Sequence, residues 1–171
     1  IIAVSDSKGF IYNKDGLDIN RLMDVKKKTG SVVNYRPGKN FPSHKIFELD
    51  ADILIPGALP DVITRENVHK VKAKVVVEAA NIPMSEEIEA ILHKKGIFVV
   101  PDIIANAGGV ISSYAEYRGY NPKRMFSLVE KKITRNTRIV LKKAEKLHVK
   151  PRDAALHIAM ERVRKAMKRK R

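Results

Sequence analysis

Cysteine and tryptophan are both missing from this 171-residue chain, and aromatic residues of every kind make up only 6% of it. Without cysteine there is no disulfide framework and no thiolate chemistry. So few rings leave little to build a base-stacking platform for nucleic acid. No apolar run approaches the roughly 18 residues that a membrane span needs. The start, Ile1-Ile2-Ala3-Val4, has neither an initiator Met nor the basic-then-apolar order of a secretory leader. A cytoplasmic protein is the expectation. Glycine is scarce, at nine residues, and none of them forms the Gly-x-Gly-x-x-Gly turn that cradles a dinucleotide phosphate.

Acidic residues are scarce in one place only. Residues 123–171 hold 18 of the 34 Lys and Arg but 4 of the 19 Asp and Glu. They therefore carry nearly all of the formal net charge of +15. A basic surface for a polyanion is one reading. Solvated helix faces, with their acidic complement on another segment or subunit, are the preferred one. Nucleic acid is not an expected partner.

Hydrophobic residues, at 44%, suffice for a real core. Apolar runs at 1–4, 52–56, 74–79 and 97–100 read as strands. Between and after them lie helical patterns at 18–29, 43–49, 64–68, 85–95, 109–118, 123–148 and 151–168. Thr64 and Ser85 stand as N-caps, Gly30 and Gly96 as stops, and Pro122 and Pro151 at helix starts. Strands alternating with helices predict an α/β fold with a parallel sheet. Their continuous apolar character predicts that both faces are covered.

In such a sheet, ligands bind beyond the carboxyl ends of the strands. The residues there are Ser5-Asp6-Ser7, Pro56-Gly57-Ala58, Ala80-Asn81-Ile82-Pro83 and Asn106-Ala107-Gly108-Gly109. Four small or polar loops in succession predict one continuous crevice. The carboxylate of Asp6 suits the ribose hydroxyls of a dinucleotide, although taken alone it reads as an Asx-turn residue. Asn81 and Asn106 can donate and accept together, as a ribose or a carboxamide requires, although each alone reads as a turn or cap. Gly108-Gly109 lets backbone approach a flat ring. Because the phosphate turn belongs to a first strand–helix unit, the sheet is expected to lack its centre here. Upstream sequence or a partner chain would supply it.

Five stretches, VSDSKGFIYNKDGLDI, DADILIPGALPDVIT, EAANIPMSEEIEAIL, PDIIANAGGVISSYAEY and KPRDAALHIAMERVRKAM, occur in this order along essentially the whole chain. Together they resemble the coenzyme-domain half of the glutamate/leucine/phenylalanine/valine dehydrogenases, with the archaeal glutamate-specific branch nearest. The resemblance implies a Rossmann-like domain without its first strand–helix unit over residues 1–109. A C-terminal helical segment, 110–171, would pack back toward a substrate domain. It implies NAD or NADP as coenzyme, a hexameric assembly, and reversible deamination of L-glutamate to 2-oxoglutarate and ammonia. Asp6, Ser7, Ala58, Asn81 and Asn106 would contact the coenzyme. Ser113 would hold the distal carboxylate of glutamate, and Val110 would wall the pocket. Without the resemblance, Ser113 reads as a helix serine bonded back to the preceding turn. Asp6 disfavours a 2′-phosphate and Lys8 partly offsets it, so the coenzyme choice stays open. The family's catalytic Lys and Asp lie on the substrate domain and have no counterpart here; no metal site is expected. The competing reading is a non-catalytic Rossmann-like module or remnant that uses its basic C-terminus for binding.

Overall fold

A computed structural model describes residues 1–168 and divides them into two compact units. The first comprises 1–52 with 65–73, and the second comprises 53–64 with the chain from Lys74 onward.

The first unit is built on an antiparallel sheet, in the order β1 (Ala3–Asp6), β2 (Gly9–Tyr12), β3 (Lys39–Phe41). This corrects the expectation that residues 1–4 enter the parallel sheet. The chain turns back at Ser7-Lys8, and Gly9 takes φ +146°. A side chain at Gly9 would bring its Cβ within 2.8 Å of the Phe41 carbonyl oxygen, so this position requires glycine. The helix expected at 18–29 is α1 (Ile19–Thr29). Asp18 accepts the Arg21 N–H at 3.0 Å as its N-cap, and Gly30, in the left-handed region at φ 78°, ends it. Leu22 on α1 packs with Ile11, Leu17, Val32 and Tyr35 into the core of this unit. Two 3₁₀ turns, Val32–Asn34 and Ser43–Glu48, complete the segment up to Asp52. The helix expected from Thr64 is reduced to a third, Val68–Lys70.

The second unit holds the parallel sheet, in the order β4 (Ile53–Leu54), β5 (Val75–Val77), β6 (Phe98–Val100). Val76 and Val99 are buried at its centre. β4 pairs with β5 alone among the described residues, and Ile53 and Ile55 are 57% and 60% exposed, in line with a sheet expected to lack its centre. An apolar strand with a free edge is one that a further strand would cover. Between β5 and β6 runs α2 (Glu86–Lys94), where Ser85 accepts the Ile88 N–H. After β6 come the one-turn helix α3 (Asp102–Ala105), then α4 (Gly108–Tyr117), α5 (Pro122–Leu147) and α6 (Pro151–Lys168). Ile104, Val140, Ala144, Ala154, Ala155 and Ile158 close a core in which α5 and α6 meet through small residues. The last three residues of the basic tail lie outside the described residues. Among the described residues no helix is long and apolar enough to cross a membrane.

Candidate functional site

Three of the four loops singled out in the sequence converge in the second unit. The Ala80 N–H donates to the Pro56 carbonyl at 2.8 Å, tying the loop after β5 to the loop after β4. The Asn106 side-chain amide donates to the Ala80 carbonyl at 3.3 Å, tying in the segment after β6. Ala58, Asn81 and Asn106 therefore stand on loops that share one strand-end edge, and Ala58 and Asn81 are exposed there. From that edge α4 departs. A Cβ at Gly108 would meet only Val129 Cγ1, at 3.5 Å, and one at Gly109 would meet nothing within 4 Å. The glycine pair thus leaves an open backbone surface at the start of α4. Val110, 77% exposed, and Ser113, also exposed, follow on that helix.

Both serine hydroxyls of α4 point at one acceptor. Ser112 and Ser113 donate to the Gly109 carbonyl at 2.8 and 3.1 Å. This is the back-bonded geometry that reads as ordinary helix serine. It also leaves Ser113 replaceable at that carbonyl, because Ser112 keeps it satisfied when the Ser113 hydroxyl rotates toward a ligand.

Asp6 and Ser7 belong to the first unit, and Asp6 ends β1 at an antiparallel hairpin rather than ending a parallel strand. Its carboxylate is well occupied. Oδ1 accepts the Lys8 N–H at 2.9 Å and the Ser31 hydroxyl at 3.1 Å, and Oδ2 accepts the Val32 N–H at 2.8 Å. Lys26 Nζ lies 3.6 Å from Oδ2. Burial alone would raise the Asp6 pKa, but the N–H groups of Val32 and Lys8, the Ser31 hydroxyl and the Lys26 charge together hold it below the usual carboxylate range. The Asx-turn reading therefore describes a large part of what Asp6 does. A ribose hydroxyl would find its remaining acceptor capacity on Oδ2. Ser7 is exposed beside it.

A constellation not anticipated from the sequence lies just beneath the edge carrying Asn81 and Asn106. Arg152, in the first turn of α6, extends its guanidinium into three carboxylates. Nη2 reaches Glu78 Oε2 at 2.5 Å, Nη1 reaches Asp102 Oδ1 at 3.0 Å, and Nε donates to Glu89 Oε2. The Glu78 and Glu89 side chains are 0% and 1% exposed. Their second oxygens have no hydrogen-bond partner among the described residues. Three carboxylates around one guanidinium would carry two uncompensated negative charges, which a low-dielectric interior disfavours. Burial pushes the Glu78 carboxyl up to about 7, and the charges of Asp102 and Glu89 add to that, against the opposing effect of the Asp102 N–H and Arg152. Burial likewise works against the Arg152 charge, but Glu89, Glu78 and Asp102 outweigh it and hold its pKa above the ordinary value. The sequence carried a signal for this cluster. Glu78 ends the apolar run VVVE, and Glu89 lies between Ile88 and Leu92 on the buried side of α2. Nothing in those spacings named Arg152 as the shared partner, since it lies 74 residues beyond Glu78.

A groove of about 1050 Å³ is lined by His93, Phe98, Leu141, His148 and neighbours on α5. None of the candidate site residues contributes to it.

Known proteins give this arrangement its context. The family model for Glutamate/Leucine/Phenylalanine/Valine dehydrogenase matches residues 1–171. A glutamate dehydrogenase of Aeropyrum pernix is 45% identical over 98% of this chain and 43% of its own length. One of Thermotoga maritima is 42% identical over 99% of this chain and 42% of its own length. The chain thus spans a little over two fifths of these two relatives. Among solved structures, the hetero-hexameric glutamate dehydrogenase of Thermus thermophilus superposes with a TM-score of 0.82 at 30% identity, covering 96% of this chain and 40% of that one. The glutamate dehydrogenase of Peptoniphilus asaccharolyticus gives 0.79 at 27% identity, covering 99% of this chain and 41% of its own. The motifs, the parallel sheet with its loops drawn to one edge, and these likenesses agree, and the chain belongs to the glutamate/leucine/phenylalanine/valine dehydrogenase family.

Proposed function

We propose that the whole protein catalyses the NAD(P)-dependent, reversible oxidative deamination of L-glutamate, and that this chain supplies the coenzyme side of the site. Glutamate, water and NAD(P)⁺ give 2-oxoglutarate, ammonium and NAD(P)H, with release of a proton. The observation that carries this reading is the shared strand-end edge, where hydrogen bonds through Ala80 join the loops after β4, β5 and β6 beside the open backbone of Gly108-Gly109. An edge of that kind is where an α/β sheet receives a dinucleotide.

Asn81 and Asn106 offer amides to ribose hydroxyls or to a carboxamide, and Ala58 leaves room beside them. The glycine pair lets backbone lie against a flat ring. Asp6 and Ser7, in the first unit, would meet the adenosine end. The coenzyme supplies the hydride acceptor; the protein's part is to hold the substrate Cα in line with it and keep the reacting centre dry. Ser113 donates to the distal carboxylate of glutamate, and Val110 forms an apolar wall. The division into a coenzyme-binding part, 1–109, and a helical part, 110–171, that packs toward a substrate domain belongs to the same proposal. So do a hexameric assembly and a cytoplasmic location.

The test is the Ser113→Ala variant of the full-length protein. Loss of a hydrogen bond to a charged group costs roughly 1.5–3 kcal/mol, about ten- to hundred-fold in kcat/KM. The loss should fall on glutamate and spare norvaline, which has no distal carboxylate. Equal losses on both substrates, or none on glutamate, would leave Ser113 as the back-bonded helix residue seen here.

A further inference from the structure

We propose that Arg152 is a positioning residue for the coenzyme edge: through Asp102 it sets the place of the two loops that carry Asn81 and Asn106. The inference rests on the coenzyme-binding reading of that edge and adds a residue to it.

The connections are direct. Asp102 Oδ1 accepts Arg152 Nη1 at 3.0 Å and the Ile103 N–H at 2.8 Å. Its other oxygen, Oδ2, accepts the Ile82 N–H at 3.0 Å. Ile82 directly follows Asn81 and adopts φ 49°, a left-handed conformation that a β-branched residue enters only when its surroundings impose it. Its carbonyl accepts the Asp61 N–H at 3.0 Å, and Asp61 also lies at positive φ, 50°. The Asp102 carboxylate therefore holds the strained peptide next to Asn81. The Asp102 backbone holds the other asparagine, because its carbonyl accepts the Asn106 N–H at 3.0 Å. Finally, the Asp102 N–H donates to Glu78 Oε2 at 2.8 Å, the same oxygen that Arg152 Nη2 grips.

Arg152 thus holds Asp102 from two sides, once at its carboxylate and once through Glu78. Glu89 on Nε fixes the plane of the guanidinium. The planar guanidinium holds its donors in fixed directions and so fixes three carboxylates relative to one another; an ammonium, a point charge whose three donors rotate on a flexible stem, does not. The site lies at the start of α6, outside the strand-end loops, so the effect of Arg152 on a ligand is exerted through Asp102.

The test uses the full-length protein and Arg152→Lys, which keeps the charge and loses the fork. Three quantities are read: the NADH dissociation constant by fluorescence titration, the separate KM values for coenzyme and glutamate, and hydrogen exchange of the peptide spanning residues 79–84. We expect NADH binding to weaken at least tenfold, with the coenzyme KM rising in parallel. The glutamate KM and kcat at saturating coenzyme should stay within about twofold, and exchange at the Ile82 amide should accelerate while the rest of the sheet stays protected. A lowered melting temperature with an unchanged NADH dissociation constant overturns the proposal and leaves Arg152 a purely structural charge. If Arg152→Lys does not fold, Asp102→Asn decides. It retains an acceptor for Ile82 but loses the ionic grip, and a several-fold loss of NADH affinity supports the proposal while an unchanged affinity overturns it. An unmodified protein that binds neither NADH nor NADPH refutes the coenzyme reading itself. In that case accelerated exchange at Ile82 in Arg152→Lys would still support the loop-positioning link, and unchanged exchange would overturn that as well.

Discussion

Replacing Glu78 by Gln tests the electrostatics of the buried cluster through a change in slope rather than a change in level. In the folded protein the Glu78 carboxyl keeps its proton up to about pH 7, whereas its ordinary value is 4.5. Between those two values the folded state holds a proton that the unfolded state has released. The stabilisation is therefore complete below about pH 4.5 and is lost as the pH rises through 7. At about 1.4 kcal/mol per tenfold, the difference amounts to roughly 3 kcal/mol across that window. The physical origin is the count of charges: three carboxylates share one guanidinium, and Glu78 is fully enclosed. The Glu78→Gln variant cannot ionise. It keeps an oxygen to accept from the Asp102 N–H and Arg152, but it places an amide where Glu78 Oε1 has no partner, at a pH-independent cost of about 1–3 kcal/mol. The assay is denaturant unfolding of the full-length protein and the variant at fixed protein concentration, at intervals from pH 5 to 8.5. Titrating groups that do not interact with Glu78 cancel in the difference. The unmodified protein should lose its advantage over the variant as the pH rises from 5 to about 7, by up to about 3 kcal/mol, and the difference should level off above that. A difference that stays constant with pH refutes the reasoning. So does one that grows in favour of the unmodified protein, which would mean that Glu78 is an ordinary ionised partner of Arg152.

Two further outcomes test the coenzyme contacts. Asp6→Ser should weaken NAD more than NADP by roughly 1.5–3 kcal/mol, as read by coenzyme titration, if a ribose hydroxyl uses the remaining capacity of Oδ2. Equal losses accompanied by a lower melting temperature would assign Asp6 wholly to its internal partners Lys8, Ser31 and Val32. Gly109→Ala meets no steric conflict within the chain, and alanine is up to about 1 kcal/mol better in a helix, so the fold should tolerate it or gain slightly. NADH affinity should nevertheless fall several-fold, because the added methyl stands on the backbone face proposed to meet the ring. An unchanged dissociation constant would remove Gly109 from the site.

Much of this molecule is written in local sequence. Caps and stops at Asp18, Gly30 and Ser85 act over three or four residues, so the helices they bound are readable without the fold. The same holds for the apolar strands around Val76 and Val99, and for the glycine pair that leaves α4 open. The loops following β4, β5 and β6 were legible as candidates because a parallel sheet puts its strand ends on one side.

What the tertiary structure alone decided has one physical cause: hydrogen bonds and ion pairs join residues that sequence spacing does not relate. The pairing of β2 with β3 brings Gly9 against Phe41, across more than thirty residues. The hairpin turn draws the Asp6 carboxylate onto Ser31 and Val32, giving an acid that looked free for a ligand a structural load. That Ser112 and Ser113 share the one Gly109 carbonyl appears only once the backbone is built. The Arg152 cluster gathers Glu78, Glu89 and Asp102 from three separate elements onto one guanidinium. No acid's own segment names the cation that it meets. Only packing removes water from all of them together and makes one cation answer for three.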